Sequence, residues 1–307
     1  MANATSAGYK VGYVAETTPG TTPASALKLV RLTSGGGKVA AQSVESDEIQ
    51  LAEVPDVIRV GADASGSLSF ELSYGALDDF LQGIFAATWA TNVLKVGSTK
   101  STFTIEDQYT DVPRYIPYKG CLVDSLSLSL QQGSKITGKL GYTVGTVPTA
   151  SVGTSCGTGG PTAAPTNDIM SPVGSVQLIQ EGGALDIKAL GVTAFSLDIT
   201  RAGIKQPQLG TLSLSSLDAG RFVMKGSVSL YVSSPTLLDK YLGDTQTSLA
   251  LTLGGASTKK YAFLMSKVRF TDGGIQELSK DAAAIQTFGF QATYDATATT
   301  CQITRTP

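Results

Sequence analysis

The stretch from Gly66 to Leu81 is GSLSFELSYGALDDFL, and the stretch from Gly226 to Leu242 is GSVSLYVSSPTLLDKYL. Each opens with Gly-Ser and alternates apolar with polar residues, as a strand with one buried face does. Each then continues into a Leu-Asp pair that precedes an aromatic residue and a leucine. The shared order predicts an internal duplication, in which both copies carry a strand that leads into a helix.

The two helices are predicted from spacing and from capping residues. In the first copy the apolar residues follow the i, i+3, i+4, i+7, i+8 pattern of an amphipathic helix: Leu77, Phe80, Leu81, Ile84 and Phe85. Asp78 and Asp79 lie in its first turn, where carboxylates complement the helix dipole. In the second copy we predict Ser234 as N-cap, Pro235 as the first helical residue and Gly243 just past the end.

Strand-like alternation recurs along most of the chain. The positions expected to face the core are Leu68, Phe70, Leu72, Leu126, Leu128, Leu130, Leu140, Tyr142, Val144, Val228, Leu230, Val232, Leu249, Leu251, Leu253, Phe288, Phe290, Ala292 and Tyr294. The segment from Thr146 to Asp168 has no periodicity and no Lys or Arg, so it is predicted as a linker or long surface loop.

These patterns divide the chain into an N-terminal arm (1–28), a first domain (29–146), a linker or long surface loop (147–172) and a second domain (173–307). The arm from Met1 to Ala26 has few apolar residues, and we expect it to order only against a neighbouring chain.

Composition excludes several classes of function. The 307 residues carry a formal charge of -2 and only 16% charged residues, so no strongly basic surface for nucleic acid is predicted. The chain has no histidine, which removes Ser-His-Asp and Cys-His arrangements and most catalytic zinc sites. Cys121, Cys156 and Cys301 are too widely spaced for a zinc motif or a disulfide framework. We predict no catalytic residue, no metal site and no cofactor, and therefore no enzyme.

The first half also contains a glycine-rich motif and an acidic motif. SGGGKV, from Ser34 to Val39, lacks the spacing of a phosphate-binding loop and is predicted to be a glycine-rich β-turn. SVESDEIQLAEVPD, from Ser43 to Asp56, concentrates acidic residues without the spacing of a calcium loop. It is predicted to be either a solvated acidic loop or a functional anionic surface, and its candidate residues are Glu45, Asp47, Glu48, Glu53 and Asp56.

The order of these segments carries a family resemblance. In the first half the segments are LVRLTSGGGKV, SVESDEI, GSLSFELSYGALDDFLQGIFAATW, VLKVG, STFTIEDQY and YKGCLVDSLSLSLQQGSKITGKLGY; in the second half they are GTLSLSSLDAGRFVMKGSVSLYV, TSLALTL, KYAFLMSKVRFTDG and FGFQATYD. Together they resemble the tail tube (major tail) proteins of long, non-contractile siphovirus tails. The likeness spans most of the chain and spares the arm and the linker.

The resemblance implies a mainly β protein with tandem tail-tube-type β-sandwich or barrel domains, each with a flanking α-helix. It implies self-assembly into stacked rings that form the conduit for DNA ejection, in a virion tail assembled in the host bacterial cytoplasm. Three chains with two domains each would make a pseudo-sixfold ring; alternatively, six chains would each contribute one larger sandwich. The implied partners are the chain itself, tail terminator and tip proteins, and, in the lumen, tape-measure protein and passing DNA without sequence-specific binding. No membrane span is expected.

Under this resemblance the acidic run is a candidate lumen or stacking loop. The alternative function is a secreted or surface β-sandwich adhesin or carbohydrate-binding protein. The amino terminus lacks a signal-peptide pattern, and the single tryptophan, Trp89, is expected to pack in the core; both observations argue against that alternative.

Overall fold

The computed structural model describes residues 3–49, 53–275, 280 and 283–307. The protein is mainly β, as predicted, with 51% of residues in strands and 8% in helices. In the first half the elements are β1 (Tyr9–Ala15), β2 (Lys28–Leu29), β3 (Ser34–Glu45), β4 (Val57–Glu71), α1 (Asp78–Phe85), β5 (Val93–Lys95), β6 (Phe103–Tyr109), β7 (Arg114–Gln131) and β8 (Thr137–Thr143).

In the second half the elements are α2 (Pro172–Ser175), β9 (Val176–Glu181), β10 (Leu185–Asp186), a 3₁₀ turn (Ile187–Leu190), β11 (Val192–Thr200), β12 (Gly203–Gln206), β13 (Ser216–Ala219), β14 (Val223–Tyr231), α3 (Thr236–Leu242), β15 (Thr247–Gly254), β16 (Lys260–Ile275), β17 (Ile285–Ala292) and β18 (Gln302–Thr306). Sixteen of these strands form one sheet, and β12 and β13 form a separate pair.

Eight strands form a continuous antiparallel row, in the order β3-β4-β8-β7-β11-β14-β17-β16, which we call the central sheet. β7 and β16 are long strands that leave this row: the first part of β7 pairs with β6, and the first part of β16 pairs with β15. Each has a register shift where its pairing partner changes, at Val123/Ser125 in β7 and at Phe270/Asp272 in β16. Such bulges bend a strand, so both long strands turn from one layer of the fold into the other.

Pairings in the first half recur in the second. Gly66 lies opposite Tyr142, and Gly226 lies opposite Phe290. Among the strands outside the central sheet, β1 lies between β2 and β6, and β9 lies between β10 and β15. The first half and the second half therefore share one order of strands.

The predicted buried positions are confirmed at all but two of the sites. Leu68, Phe70, the leucines of β7 and β15, and Phe288 and Phe290 all lie in one hydrophobic core. Val232 and Tyr294 were wrongly predicted to be buried: they follow the ends of β14 and β17 and are 42% and 69% exposed. Alternation ceases to place side chains in a core once the strand has ended.

Both predicted helices are present. α1 buries Phe80, Leu81, Ile84 and Phe85 as its spacing predicts. α3 begins at Thr236, one residue later than predicted, and Pro235 is its N-cap. Ser234 still contributes, because its Oγ accepts a hydrogen bond from the Thr236 amide at 3.3 Å.

Two expectations about the first 40 residues are wrong. SGGGKV begins strand β3 instead of forming a turn; Gly35 has φ +138°, and a Cβ there would lie 2.3 Å from the Ser67 carbonyl oxygen. The arm was expected to become ordered only against a neighbouring chain, but Tyr9–Ala15 is a strand of the chain's own sheet. It pairs along β6 and buries Val11 and Tyr13. Val11 and Tyr13 lie at alternate positions, so both point to the same face of the strand and are buried in the chain's own core.

Residues 147–171 have little regular structure but follow the first half closely. The Thr162 amide donates to Leu27 O at 2.8 Å, and the Leu29 amide donates to Thr162 O at 2.9 Å. Further along, the Met170 amide donates to Leu72 O at 2.8 Å. The backbone groups of this segment are thus partly satisfied by main-chain groups of the first half.

Candidate assembly interface

The longest hairpin of the protein joins β3 to β4. Its pairing extends from Ser34 opposite Ser69 to Glu45 opposite Val57. We call residues 43–59 the first hairpin; the side chains of its described residues, 43–49 and 53–59, are almost all exposed. The large aliphatic residues in and next to this hairpin are each more than half exposed: Val44, Ile49, Val54, Val57, Ile58 and Val60. A cluster of exposed aliphatic residues of this size is typical of protein–protein contact surfaces.

The five predicted acidic residues come together in the first hairpin. Glu45 ends β3, and the other four lie in the loop that follows: Asp47, Glu48, Glu53 and Asp56. All five are exposed. Asp56 Oδ1 accepts from the Val57 amide at 2.7 Å, and Asp56 O accepts from the Ser46 amide at 3.0 Å. Residues 50–52 of the acidic run lie outside the described residues.

A second hairpin, residues 203–219, occupies the same position in the second half. Ser43 pairs with Arg59 in the first hairpin, and Gly203 pairs with Ala219 in the second, so the two hairpins have equal length. The Ile49 and Leu209 side chains lie at matching positions of the two tips, and each is 98% exposed.

The two hairpins differ in their surroundings. The second hairpin lies on the first half of the same chain: the Leu214 amide donates to Gly145 O at 2.9 Å, and Lys205 Nζ lies 2.8 Å from Asp63 Oδ1. Leu217 is only 4% exposed there, whereas Val57, at the matching position of the first hairpin, is 58% exposed. The first hairpin therefore presents the apolar surface that its counterpart buries.

The central sheet ends in two strand edges. Among the described strands, β3 pairs only with β4, and β16 beyond Val268 pairs only with β17. Carboxylates bind an amide at each of these edges: Asp107 Oδ2 accepts from Gly37 N and Asp272 Oδ1 accepts from Gly273 N, both at 2.9 Å. Burial raises the pKa of Asp107, although hydrogen bonds from Gly37 and Tyr9 partly offset this effect.

Inside the chain, the strands equivalent to β16 and β3 are β7 and β11, and these two pair with each other. Pairing there extends from Gln131 opposite Ala194 to Ser125 opposite Thr200. Arg201, which follows β11, is 7% exposed and donates to main-chain oxygens of the first half, with Nη1 3.1 Å from Phe85 O and Nη2 2.9 Å from Gly97 O. Arg201 thus satisfies the carbonyl end of α1.

The face of the central sheet that points away from the hydrophobic core is rich in hydroxyl groups; we call it the hydroxyl face. Its members are Ser65, Ser67, Ser69, Ser125, Ser127, Ser129, Ser196, Thr200, Ser227, Ser229 and Thr287. The Ser196 and Ser227 hydroxyls are 2.9 Å apart, as are those of Ser229 and Thr287. Sequence analysis missed this face, although a serine at every second position of three strands was its signal.

Trp89 packs against the core and is half-buried, with its Nε1 donating to Asp78 O at 3.1 Å. Arg305 lies over its ring at 4.5 Å, and Arg305 Nη1 is 2.6 Å from Asp78 Oδ2. Trp89, from the first half, is therefore held by a residue of the second half, in a cation–π contact.

Within the described ranges, no helix is long and apolar enough to cross a membrane. In the same residues no group of three or more Cys, Asp or Glu side chains is arranged to hold a metal ion. Cys121, Cys156 and Cys301 are free thiols.

No curated protein matches the chain. A sequence model of the family described as phage tail tube protein matches residues 7–292, which include most of the arm and the whole linker as well as both halves. This family consists of structural components of the virion tail. The chain belongs to the phage tail tube protein family.

Proposed function

We propose that this chain assembles with copies of itself into closed rings, and that the rings stack into the tube through which phage DNA is ejected. Family membership supports a structural role in the tail and does not favour the adhesin alternative. In this proposal the chain is a structural subunit of the tube and not an enzyme. Assembly takes place in the host cytoplasm, where tape-measure, terminator and tip proteins are the further partners.

The observation that carries this proposal is the pair of edges on the central sheet. Strand edges without partners normally promote aggregation. Because the row contains an even number of antiparallel strands, β3 and β16 run in opposite directions. A second chain placed edge to edge would therefore continue the antiparallel alternation. If successive chains are related by a rotation that closes into a ring, no strand edge remains exposed.

The repeated pairings support tandem tube domains, with bounds at 29–146 and 173–307. Each half contributes four strands to the central sheet, so three chains would give a ring with pseudo-sixfold symmetry. Fusion of two domains removes one association step per pair and the loss of translational freedom that goes with it. A ring of six chains, each giving one larger sandwich, is the competing arrangement.

The hydroxyl face is the surface we assign to the lumen. Lys139, Asp198 and Lys225 lie in one row across it, and Arg269 continues this row, so the face carries charges of both signs. Non-specific DNA binding depends on clustered Lys and Arg that neutralise phosphates. A wall of small hydroxyl groups with charges of both signs would let DNA and tape-measure protein slide without strong attachment.

We assign the two hairpins of each chain to contacts between subunits. Only the first hairpin carries the acidic residues. Two crevices lie at the end of the central sheet opposite the tips; one is lined by Val192 and Phe195, and the other by Leu32 and Gly35 at the matching positions. Insertion of Ile49 and Leu209 into these crevices of the next ring would stack the rings. The acidic residues in the first tip make the two stacking contacts chemically different.

Electron microscopy of the purified, concentrated chain tests the proposal. The expected result is rings or tubes, with averages that show three chains per ring. True sixfold averages with one chain per position would replace the trimer by the hexamer. Monomers under every condition, including the presence of a tail-initiating complex, would refute self-assembly.

A further inference from the structure

The junction between the two halves of one chain provides a template for the junction between two chains. This inference rests on the proposed ring. β7 and β16 each carry the bulge described above, and pairing resumes at Ser125 in β7 and at Asp272 in β16. Ser127 and Gly274, two residues further along, are therefore equivalent positions.

The opposite side of the junction can be matched in the same way. Gly37 pairs with Gly66, and Leu197 pairs with Gly226. Because Gly66 and Gly226 hold equivalent positions opposite Tyr142 and Phe290, Gly37 and Leu197 are equivalent, and so are the next residues, Lys38 and Asp198. Inside the chain Asp198 lies opposite Ser127.

We propose that neighbouring chains repeat this internal junction, so that β3 of one chain pairs with β16 of the next in the register that β11 adopts on β7. Lys38 then lies opposite the partner subunit's Gly274, and Ala40 lies opposite the partner subunit's Asp272. Lys38 and Asp272 are exposed side chains of opposite charge. In the proposed register they are diagonal neighbours on one face, within reach of an ion pair.

The hairpins support the same register. Inside the chain the second hairpin lies over Gly145, whose amide donates to Gly120 O. The equivalent amide in the second half is that of Thr293, which donates to Lys267 O at 2.8 Å. A copied junction would place the first hairpin on this part of the partner, where Tyr294 is 69% exposed. Apolar surfaces exposed on both elements would then cover each other.

Paired cysteines in the full-length chain test the register. The test variant is Lys38→Cys with Gly274→Cys; Lys38 is exposed, and a Cβ at Gly274 would meet no atom within 4 Å. The two positions lie on opposite edges of one chain, so a disulfide between them must join two chains. The positive control is Asp198→Cys with Ser127→Cys, which should close within a chain. The register control is Ala40→Cys with Gly274→Cys.

Tubes of each variant are assembled under reducing conditions, checked by microscopy and oxidised, and the products are separated on a non-reducing gel beside the wild type. We expect the test pair to give covalent dimers and trimers, with at least about tenfold more product than the register control. A shift of two residues moves the sulfurs apart by roughly 7 Å, whereas the Cβ atoms of a disulfide lie about 3.5–4.5 Å apart.

The possible failures are distinguishable. If tubes form and only the register control crosslinks, the register is wrong and the proposed function stands. If tubes form and the internal control crosslinks but neither intermolecular pair does, the chains meet elsewhere and the inference is overturned. If the wild-type chain never assembles, the proposed function fails and the inference fails with it.

Discussion

Tyr142 lies directly opposite Gly66 on the neighbouring strand of the central sheet, and Phe290 lies directly opposite Gly226 in the same way. A Cβ at Gly66 would be 2.2 Å from Tyr142 Cζ, and one at Gly226 would be 2.5 Å from Phe290 Cζ. In both halves an aromatic ring therefore packs directly onto a glycine of the neighbouring strand. Close approach of this kind requires the glycine, irrespective of its backbone angles.

Alanine at either glycine should destabilise the chain. At Gly226 a Cβ would also lie 2.3 Å from the Ser196 carbonyl oxygen. Because the ring, and at Gly226 the backbone as well, has to move within an already packed core, we expect Gly66→Ala and Gly226→Ala each to lower the free energy of unfolding by about 1–3 kcal/mol. Denaturant unfolding of the unassembled chain measures this change. Gly160→Ala is the matched control, since a Cβ there meets no atom within 4 Å. Equal stability of the Gly66→Ala variant and the control would contradict the packing argument.

Arg201 should be essential for the contact between the halves. Arg201→Met keeps the length of the side chain but leaves the carbonyl oxygens of Gly97 and Gly220 without the guanidinium donor, whereas Phe85 O keeps its hydrogen bond from the Gly97 amide. Each buried carbonyl left without a donor costs about 1–3 kcal/mol, so for these two we expect a loss of roughly 2 kcal/mol or more in unfolding free energy. Arg221→Met, at an exposed position, is the control. A loss no larger than that of the control would show that water replaces the guanidinium.

The hairpin tips should control stacking and not folding. An aspartate at Ile49 or Leu209 adds a charge to a side chain that is 98% exposed, so the stability of the unassembled chain should hardly change. We expect each variant to form rings but few long tubes, because insertion into the next ring would bury the carboxylate. Electron microscopy measures tube length, and Leu242→Asp, at a 71% exposed position of α3, is the control. Long tubes in all three variants would refute the role of the tips.

The acidic residues of the first hairpin should influence assembly through charge. Reversal of Glu45, Asp47 and Glu48 to lysine changes only exposed side chains, so the fold should persist. We expect a smaller assembled fraction, or slower genome ejection by phage that carry the variant. Sedimentation and infectivity assays measure these effects. Asp168→Lys, an exposed change in the linker, is the control; wild-type assembly and infectivity of the triple variant would reject the role of these residues.

Asp107 should make stability depend on pH. Burial raises its pKa above the ordinary value of 3.8, so the carboxylic acid is favoured in the folded chain. Its contribution to stability is present below about pH 3.8 and is lost as the pH rises through the raised pKa. The free energy of unfolding of the wild type relative to Asp107→Asn should therefore fall over that interval and stay flat above it. Urea titrations at a series of pH values measure the difference.

Asp111→Asn is a control of opposite sign for this titration. Hydrogen bonds from Thr5 lower the pKa of the exposed Asp111 carboxyl. Its contribution is present above pH 3.8 and is lost as the pH falls through the lowered value. A wild-type advantage over Asp107→Asn that grew with rising pH would contradict the assignment of a raised pKa.

Much of the candidate interface was visible in the sequence only as isolated signals. The acidic run from Glu45 to Asp56 was evident, but the exposure of Val57 beside it was not, because its counterpart Leu217 is buried and has similar chemistry. The serines at alternate positions were present in three strands, yet nothing local indicated that these strands lie side by side. Ser129 and Ser196 become neighbours only through the pairing of β7 with β11.

The sequence by itself determined the period of each strand, the apolar face of α1 and the family to which the chain belongs. These properties depend on residues a few positions apart, since side-chain direction repeats every 2 residues in a strand and every 3.6 in a helix. Tertiary structure alone decided that β1 joins the sheet, that Arg201 reaches the end of α1 and that one hairpin is seated while the other is exposed. Each of these outcomes depends on which distant strand completes a backbone edge, and periodicity within one segment does not encode that choice.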